Sequence, residues 1–173
     1  IKANKGYGID LHYSSDNSAA GNIITANEGW GIFLSDSLDN TVSGNDITEN
    51  NWDGIYVNYS SKNSISGNNI TNNLYGIELD DSSNNCISGN DIKANRGDGI
   101  WLSRSSNNTI SGNKVTANDL YGVDLVFSSN HNSIFGNDIK SNSIDGIILD
   151  SSSNNTICGN NITENGQYGI SLY

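Results

Sequence analysis

Carboxylates and aromatic side chains recur through this 173-residue chain at intervals of about 23 residues. One set, the strand column, lies two residues after a repeated glycine and contains Asp10, Phe33, Tyr56, Glu78, Trp101, Asp124, Ile148 and Ser171. A second set, the turn column, directly precedes the same glycine and contains Tyr7, Trp30, Asp53, Tyr75, Asp98, Tyr121, Asp145 and Tyr168. Aromatic rings present flat apolar faces to sugar rings, and carboxylates accept hydrogen bonds from hydroxyl groups. These residue types, repeated along a chain, favour a surface that binds a polysaccharide.

The candidate binding residues are drawn from both columns and are Trp30, Phe33, Asp53, Tyr56, Tyr75, Trp101 and Tyr121. An inverting glycoside hydrolase would need two carboxyl groups about 6.5 to 9.5 Å apart. Glu78 and Asp124 are the candidate catalytic pair, about 9.6 Å apart if neighbouring repeats lie at strand spacing, with Asp98 as a further acid or base. The same residues also suit an inactive surface, because large side chains favour β-structure. Binding, a purely structural role and hydrolysis therefore stay open, with hydrolysis the least favoured.

The chain is built from a short repeat that is marked by two glycines. A Gly-Asn pair recurs at steps of 22 to 24 residues, and its glycines are Gly21, Gly44, Gly67, Gly89, Gly112, Gly136 and Gly159. A second glycine, followed by Ile or Val, recurs with the same interval from Gly8 to Gly169. The spacing between the two glycines changes only before Gly76 and after Gly122, which places the length changes in turns. We therefore expect about eight copies of one unit.

Each unit carries four apolar positions, shown by Ile92, Ile100, Leu102 and Ile110. Ile100 and Leu102 alternate as in a strand, and no set of apolar residues keeps a helical spacing. Clusters of Asn, Ser, Asp and Gly separate three strand signals in every unit. A unit this short cannot bury its apolar face alone, so its copies must stack. The sequence predicts an all-β right-handed parallel β-helix (a solenoid) of about eight coils, with three short strands in each coil of 22–24 residues.

Three columns of asparagine follow the same repeat, represented by Asn45, Asn50 and Asn63. An amide carries both donors and an acceptor, so copies stacked about 4.8 Å apart can form a continuous hydrogen-bonded ladder. Asparagine also tolerates the left-handed backbone that tight corners require. We interpret all three columns as structural corners of the solenoid and not as a binding site.

The composition indicates a single domain over residues 1–173. The chain has 34% hydrophobic residues and no Pro or Met, and no segment resembles a linker. It begins and ends within a repeat, so we expect it to be part of a longer chain or of an assembly. Unpaired strands at the ends of a stack invite further pairing, which predicts self-association into an oligomer or filament through the coil ends.

The net charge of −11 limits the partners of this protein. Phosphate binding needs clustered Lys and Arg, so a nucleic acid is not expected. No cofactor or metal site is expected, although the acidic surface leaves Ca²⁺ binding as an alternative. No apolar run in this segment is long enough to insert into a membrane. Cys86 and Cys158 lie about three repeats apart, which exceeds the reach of a disulfide.

The unit NDIKANRGDGIWLSRSSNNTISGN, residues 90–113, resembles the parallel β-helix repeat of the NosD and carbohydrate-binding and sugar-hydrolase (CASH) group, and the resemblance covers essentially the whole chain. It implies an extracellular or cell-surface protein that acts as a scaffold or binds carbohydrate. The name NosD implies copper-site maturation, but a copper site needs soft or imidazole ligands brought together, and His12 and His131 lie in distant repeats. Regular threonines give ice binding as another remote alternative.

Overall fold

The chain folds into strands and turns without any helix. The computed structural model describes all of residues 1–173. Its strands β1 to β22, numbered in chain order, form three parallel sheets. The first sheet contains eight strands, which are β1 (Ile9–His12), β4 (Ile32–Ser35), β7 (Ile55–Asn58), β10 (Ile77–Asp80), β13 (Ile100–Ser103), β16 (Val123–Val126), β19 (Ile147–Leu149) and β22 (Ile170–Leu172).

The other two sheets contain seven strands each. The second sheet consists of β2 (Ser18–Ala20), β5 (Thr41–Ser43), β8 (Ser64–Ser66), β11 (Cys86–Ser88), β14 (Thr109–Ser111), β17 (Ser133–Phe135) and β20 (Thr156–Cys158). The third sheet consists of β3 (Ile23–Thr25), β6 (Asp46–Thr48), β9 (Asn69–Thr71), β12 (Asp91–Lys93), β15 (Lys114–Thr116), β18 (Asp138–Lys140) and β21 (Asn161–Thr163). Every strand pairs in parallel with its counterpart in the next coil, which confirms the predicted parallel β-helix with three strands per coil.

The solenoid has about seven complete coils, where the sequence predicts about eight. Eight repeat units each supply a strand to the first sheet, but the second and third sheets receive only seven strands each. The eighth unit therefore adds one strand and not a full coil. At about 4.8 Å per coil, the first sheet extends on the order of 35 Å along the solenoid axis.

The core is a stack of apolar columns that runs the length of the solenoid, as predicted. Within one coil, Ile100 and Leu102 of the first sheet, Ile110 of the second and Ile92 of the third are fully buried. Residues of the first sheet alternate between core and surface, because successive side chains of a strand point to opposite faces. The outward positions of that sheet are therefore held in a straight row along the axis.

Asparagine ladders hold the coils in register, which confirms the sequence prediction. The backbone N–H and the Nδ2 of Asn90 both donate to Oδ1 of Asn113, at 3.0 and 2.9 Å. Nδ2 of Asn90 also donates to the carbonyl oxygen of Ile65 at 3.0 Å. The other two columns repeat the contact to the next coil, as between Asn50 and Asn73 at 3.0 Å. A shift of one coil against the next would leave these buried amides unpaired.

The left-handed residues at the corners are not the ladder asparagines, which corrects the sequence prediction. The residue before each ladder asparagine has the positive φ, as shown by Ala94 before Asn95 (φ 55°) and Gly89 before Asn90 (φ 63°). The preceding residue turns the chain at the corner, so the asparagine itself is free to point its amide inward. Each corner therefore needs one residue with a positive φ to turn the chain and a following asparagine to form the ladder.

A fourth ladder, made of serine, was not predicted from the sequence. Oγ of Ser105 accepts a hydrogen bond from the backbone N–H of Ser82 at 2.9 Å, and the backbone N–H of Ser105 donates to Oγ of Ser129 at 3.1 Å. The longest coil places its extra residue here, because both Phe127 and Ser128 have positive φ. The insertion therefore stays in a turn, as predicted, and the ladder continues past it.

Candidate functional site

The strand column lies on the outer surface of the first sheet. Glu78 in β10 pairs with Trp101 in β13, which pairs in turn with Asp124 in β16. These residues alternate along their strands with fully buried core residues such as Leu102, so their side chains point away from the core. Glu78 and Asp124 therefore lie two coils apart with Trp101 between them.

The turn column lies beside the strand column, and its carboxyl groups are buried. Asp53, Asp98 and Asp145 are only 3–4% exposed. Each accepts a hydrogen bond from the backbone N–H of the tyrosine in the next coil, as Oδ1 of Asp98 does from Tyr121 at 2.8 Å. The backbone of the following coil thus fixes the position of each of these carboxyl groups.

Residues of the turn column contact the strand column of the next coil, so the two columns form diagonal pairs. Tyr75 and Trp101 make one such pair, with stacked rings whose centroids are 5.4 Å apart. Both side chains are half-buried, which leaves part of each ring at the surface. A diagonal aromatic pair therefore separates the carboxyl groups that precede and follow it along the axis.

An aromatic cluster lies at the N-terminal end of the same face. The ring of Trp30 lies 4.6 Å from Tyr7, 4.6 Å from Phe33, 4.5 Å from Trp52 and 4.8 Å from Tyr56, measured between centroids. Such contacts stabilise the rings against each other by about 0.5–1.5 kcal/mol per pair. The cluster gives this end of the face a continuous apolar surface.

Diagonal contacts also bring carboxyl groups together in the middle of the face. Asp53 and Glu78 share a side-chain hydrogen bond and form one carboxyl pair. Asp98 lies close enough to Asp124 for its charge to act on that carboxyl group, and we call these two residues the second carboxyl pair. Farther along, Oγ of Ser171 donates a hydrogen bond to Oδ2 of Asp145 at 2.5 Å. We call the surface formed by these pairs, by the aromatic pairs between them and by the aromatic cluster at the N-terminal end the diagonal face.

Burial raises the pKa of the carboxyl groups in both pairs. Burial, together with the nearby charge of Asp53, raises the pKa of Glu78 to about 9. Burial, together with the charge of Asp98, raises the pKa of Asp124 to about 8. Burial also raises the pKa of Asp98 to about 6, against the opposing hydrogen bond from Tyr121. At neutral pH, Glu78 and Asp124 therefore keep a proton, while the ionised form of Asp98 dominates.

Lowering the pH is expected to stabilise the protein through Glu78. Its pKa is about 9 in the folded chain against 4.5 for an ordinary glutamate, so the folded state binds more protons than the unfolded state between these values. The free energy of unfolding must then fall as the pH rises through this range. We expect Glu78→Gln, which cannot ionise, to raise the free energy of unfolding by at least about 1 kcal/mol near pH 8 and to flatten its pH dependence.

Urea denaturation at several pH values measures this effect. Glu49→Gln serves as the matched control, because Glu49 lies exposed at a turn and should change neither the stability nor its pH profile. A Glu78→Gln profile that runs parallel to that of the parent protein would contradict the expected proton linkage.

Asp124 contains a buried acceptor without a partner. The residue is 7% exposed, and its Oδ1 atom makes no hydrogen bond. Buried polar atoms are nearly always paired, and an unpaired one costs about 1–3 kcal/mol. The second carboxyl pair therefore has an unused acceptor on the diagonal face.

The diagonal face brings together all the sequence-predicted site residues, whose roles stay predictions. It also includes Asp145, Tyr7 and Trp52, which the candidate set omits. The signal for Asp145 was present in the sequence, because the turn column alternates strictly between Asp and Tyr from Asp53 to Tyr168. The single cavity of the molecule lies elsewhere, at the last coil, where its lining includes Leu149, Ile157, Leu172 and Tyr173.

No three His, Cys, Asp or Glu side chains are grouped so that they could hold a metal ion. The structure has no helix with the length and apolarity that crossing a membrane requires. Cys86 and Cys158 are both free.

Comparison with known structures finds long parallel β-helices that match almost the whole chain. The periplasmic alginate epimerase AlgG matches with a TM-score of 0.81 at 24% identity, covering 96% of this chain and 47% of its own. The A-module of mannuronan C-5 epimerase AlgE4 from Azotobacter vinelandii matches with a TM-score of 0.83 at 20% identity, covering 99% of this chain and 54% of its own. DFA-IIIase from Arthrobacter chlorophenolicus A6 without its lid matches with a TM-score of 0.86 at 15% identity, covering 98% of this chain and 48% of its own.

At these identities the likeness concerns the fold, and the chain spans about half the length of each of these proteins. No curated protein matches the sequence. A family model described as a right handed beta helix region matches residues 1–139 and again residues 53–173, which confirms the predicted hand of the solenoid. The closer resemblance to the NosD and CASH group stays a prediction. Together the two matched segments cover all the coils, and the chain therefore belongs to the family of right-handed beta helix regions.

Proposed function

We propose that this β-helix is an extracellular or cell-surface module that binds a polysaccharide along its diagonal face. The observation that carries the proposal is the row of half-buried aromatic rings and carboxyl groups held in register over successive coils. Trp30, Tyr56 and Trp101 offer apolar faces to sugar rings, and the carboxyl groups between them can donate or accept hydrogen bonds to hydroxyls. The epimerases and DFA-IIIase, whose names refer to carbohydrates, support this choice only as proteins of the same fold. Self-association through the coil ends stays a prediction.

A tryptophan fluorescence titration with neutral, acidic and amino polysaccharides tests the proposal. We expect a saturable change with at least one polymer, because Trp30 and Trp101 lie on the diagonal face. Trp101→Ala is expected to weaken that binding about tenfold, since an aromatic residue at the centre of a binding surface commonly contributes this much.

Phe135→Ala is the matched control for Trp101→Ala. Phe135 is 41% exposed and lies on the second sheet, away from the diagonal face, so its loss should leave the titration unchanged. Equal weakening by both substitutions, or no response to any polymer, would refute binding at the diagonal face.

Inverting glycoside hydrolysis is a second candidate, favoured by one observation. Glu78 keeps its proton at neutral pH, as a general acid must, while Asp98 two positions before β13 is available as an ionised base. Asp124 lies about 9.6 Å from Glu78, a separation of two coils, which is near the upper limit for an inverting pair. Asp124 also keeps its proton at neutral pH, so it could act as the base only in its minor ionised form. Hydrolysis would release new reducing ends from the polysaccharide. If the parent protein shows this release and both Glu78→Gln and Asp124→Asn lose it while staying folded, hydrolysis is favoured. A binding protein would keep its ligand in at least one of these variants.

A further inference from the structure

We infer that the ligand is a linear polysaccharide with free amino groups, bound along the solenoid axis so that amines meet the carboxyl pairs at every second coil. This inference rests on the proposed function and names the class of sugar polymer. It is carried by a two-coil periodicity of the diagonal face, by the absence of positive charge there, and by the unpaired acceptor of Asp124.

From Asp53 onward, the diagonal face repeats every two coils and not every coil. In the turn column, Asp53, Asp98 and Asp145 alternate with tyrosines. In the strand column, the polar residues Glu78, Asp124 and Ser171 each lie one coil after one of these aspartates. Turn residues contact strand residues of the next coil, as Tyr75 does Trp101 and Asp145 does Ser171. Polar pairs and largely apolar pairs therefore alternate along the axis. The apolar core needs a repeat of only one coil. The two-coil period is therefore a property of the surface residues, and we attribute it to the ligand that they contact.

The spacing of the carboxyl pairs suits an extended sugar chain. Two coils correspond to about 9.6 Å along the axis, and the stacked pair of Tyr75 and Trp101 lies between the carboxyl pairs. In an extended β-1,4-linked polymer, successive sugars are turned to opposite sides, so the same substituent faces the protein only at every second sugar. Such a polymer would match the diagonal face if it placed one substituent at each carboxyl pair and one sugar ring over the aromatic pair between them.

The charges of the diagonal face favour an amine as that substituent. Neither column contains Lys or Arg, and all four ion pairs of the protein involve Asp80, Asp81 or Asp91. The carboxyl pairs therefore have no positive partner in the protein. A uronate polymer would bring further carboxylates to these pairs and would be repelled, whereas an ammonium group would compensate them with charge-assisted hydrogen bonds.

The second carboxyl pair adds an independent observation. Oδ1 of Asp124 is buried without a partner, and Asp98 beside it has only the backbone N–H of Tyr121 as a hydrogen-bond donor. An ammonium group at the outer side of this pair would favour the ionised form of both carboxyl groups. Binding would then release protons to solvent, chiefly from Asp124.

Calorimetric titration with three oligosaccharides of matched length tests the inference. The probes are β-1,4-linked glucosamine oligomers, the same oligomers with every amine N-acetylated, and mannuronate oligomers, all at a mildly acidic pH at which the amines already carry their protons. We expect the glucosamine oligomers to bind at least about tenfold tighter than the acetylated ones, since a charge-assisted contact contributes this much. Titration in two buffers with different ionisation enthalpies should show protons released with the amine and none with the acetylated oligomer.

Two variants separate site binding from general attraction to an acidic protein. Asp98→Asn and Asp124→Asn keep the shape of each side chain, and the first also keeps the acceptor for Tyr121; either should remove the preference for the amine. Asp39→Asn removes one charge at an exposed turn and should preserve the preference. Equal weakening by Asp39→Asn would show attraction to the net charge of −11 only and would overturn the inference.

The remaining outcomes distinguish this inference from the proposed function. Equal binding of glucosamine and acetylated oligomers, or tighter binding of mannuronate, would overturn the amine preference and leave polysaccharide binding standing. Binding of none of the three, together with no response in the fluorescence titration, would overturn both.

Discussion

Replacing Gly99 with alanine is expected to lower the free energy of unfolding by about 3 kcal/mol or more. A Cβ atom at this position would lie 2.7 Å from the carbonyl oxygen of Gly122 and would overlap a methyl group of Val115. The carbonyl of Gly122 cannot move away freely, because it accepts the hydrogen bond from the N–H of Ile100 at 3.0 Å. The same glycine recurs in every coil because the backbone of the next coil approaches too closely for any side chain. Thermal or urea unfolding followed by circular dichroism measures the loss.

Gly6→Ala is the control for the Gly99 substitution. A Cβ atom added to Gly6 would meet no other atom within 4 Å, so this replacement should change the free energy of unfolding by no more than about 0.5 kcal/mol. A Gly99→Ala protein as stable as Gly6→Ala would show that the coils can separate locally, which would contradict a rigid spacing between them.

The fold could be predicted from the sequence because its determinants repeat in every coil. Ile100 has a counterpart in each unit, so the column of buried residues appears directly as a periodic pattern. The ladder between Asn90 and Asn113 is predictable because two amides at strand spacing satisfy each other. The predicted number of coils is too high, since eight marked units do not imply eight complete sets of three strands.

The arrangement of the site could be predicted only in part, because it depends on contacts that cross between columns. The sequence places Asp98 and Asp124 in different columns, and only the structure shows that a turn residue contacts the strand residue of the following coil. The position of Asp98 likewise depends on the next coil, because the backbone N–H of Tyr121 donates a hydrogen bond to its carboxyl group. The raised pKa of Asp124 therefore could not be inferred from residue type or spacing.

The geometry of the candidate site depends on the regular stacking of the solenoid coils. Ladders fix the distance between coils, and the alternation of Asp and Tyr in the turn column converts that distance into a two-coil spacing of polar groups. A loop-based site could adjust its residues one at a time, whereas here Glu78 and Asp124 keep their separation as long as β13 stays paired with its neighbours. Ligand recognition on the diagonal face is therefore expected to weaken whenever the ladders are broken, even far from the face.

Asn113→Ala is expected to lower the free energy of unfolding by about 2–4 kcal/mol. Oδ1 of Asn113 accepts from the N–H and Nδ2 of Asn90 at 3.0 and 2.9 Å, and its Nδ2 donates to the carbonyl oxygen of Ile87 and to Oδ1 of Asn137, both at 3.0 Å. Alanine removes all four bonds and leaves the buried donors of Asn90 without their acceptor. Urea unfolding measures the change directly.

Asn161→Ala is the matched control, because Asn161 is exposed and its amide bonds only to Asp138 at 2.8 Å. Its replacement should cost no more than about 0.5 kcal/mol. If both variants lost the same small amount, the ladders would be a by-product of stacking and not its cause. A large loss confined to Asn113→Ala, accompanied by weaker polysaccharide binding on the opposite side of the coil, would instead show that the ladder sets the spacing on which recognition depends.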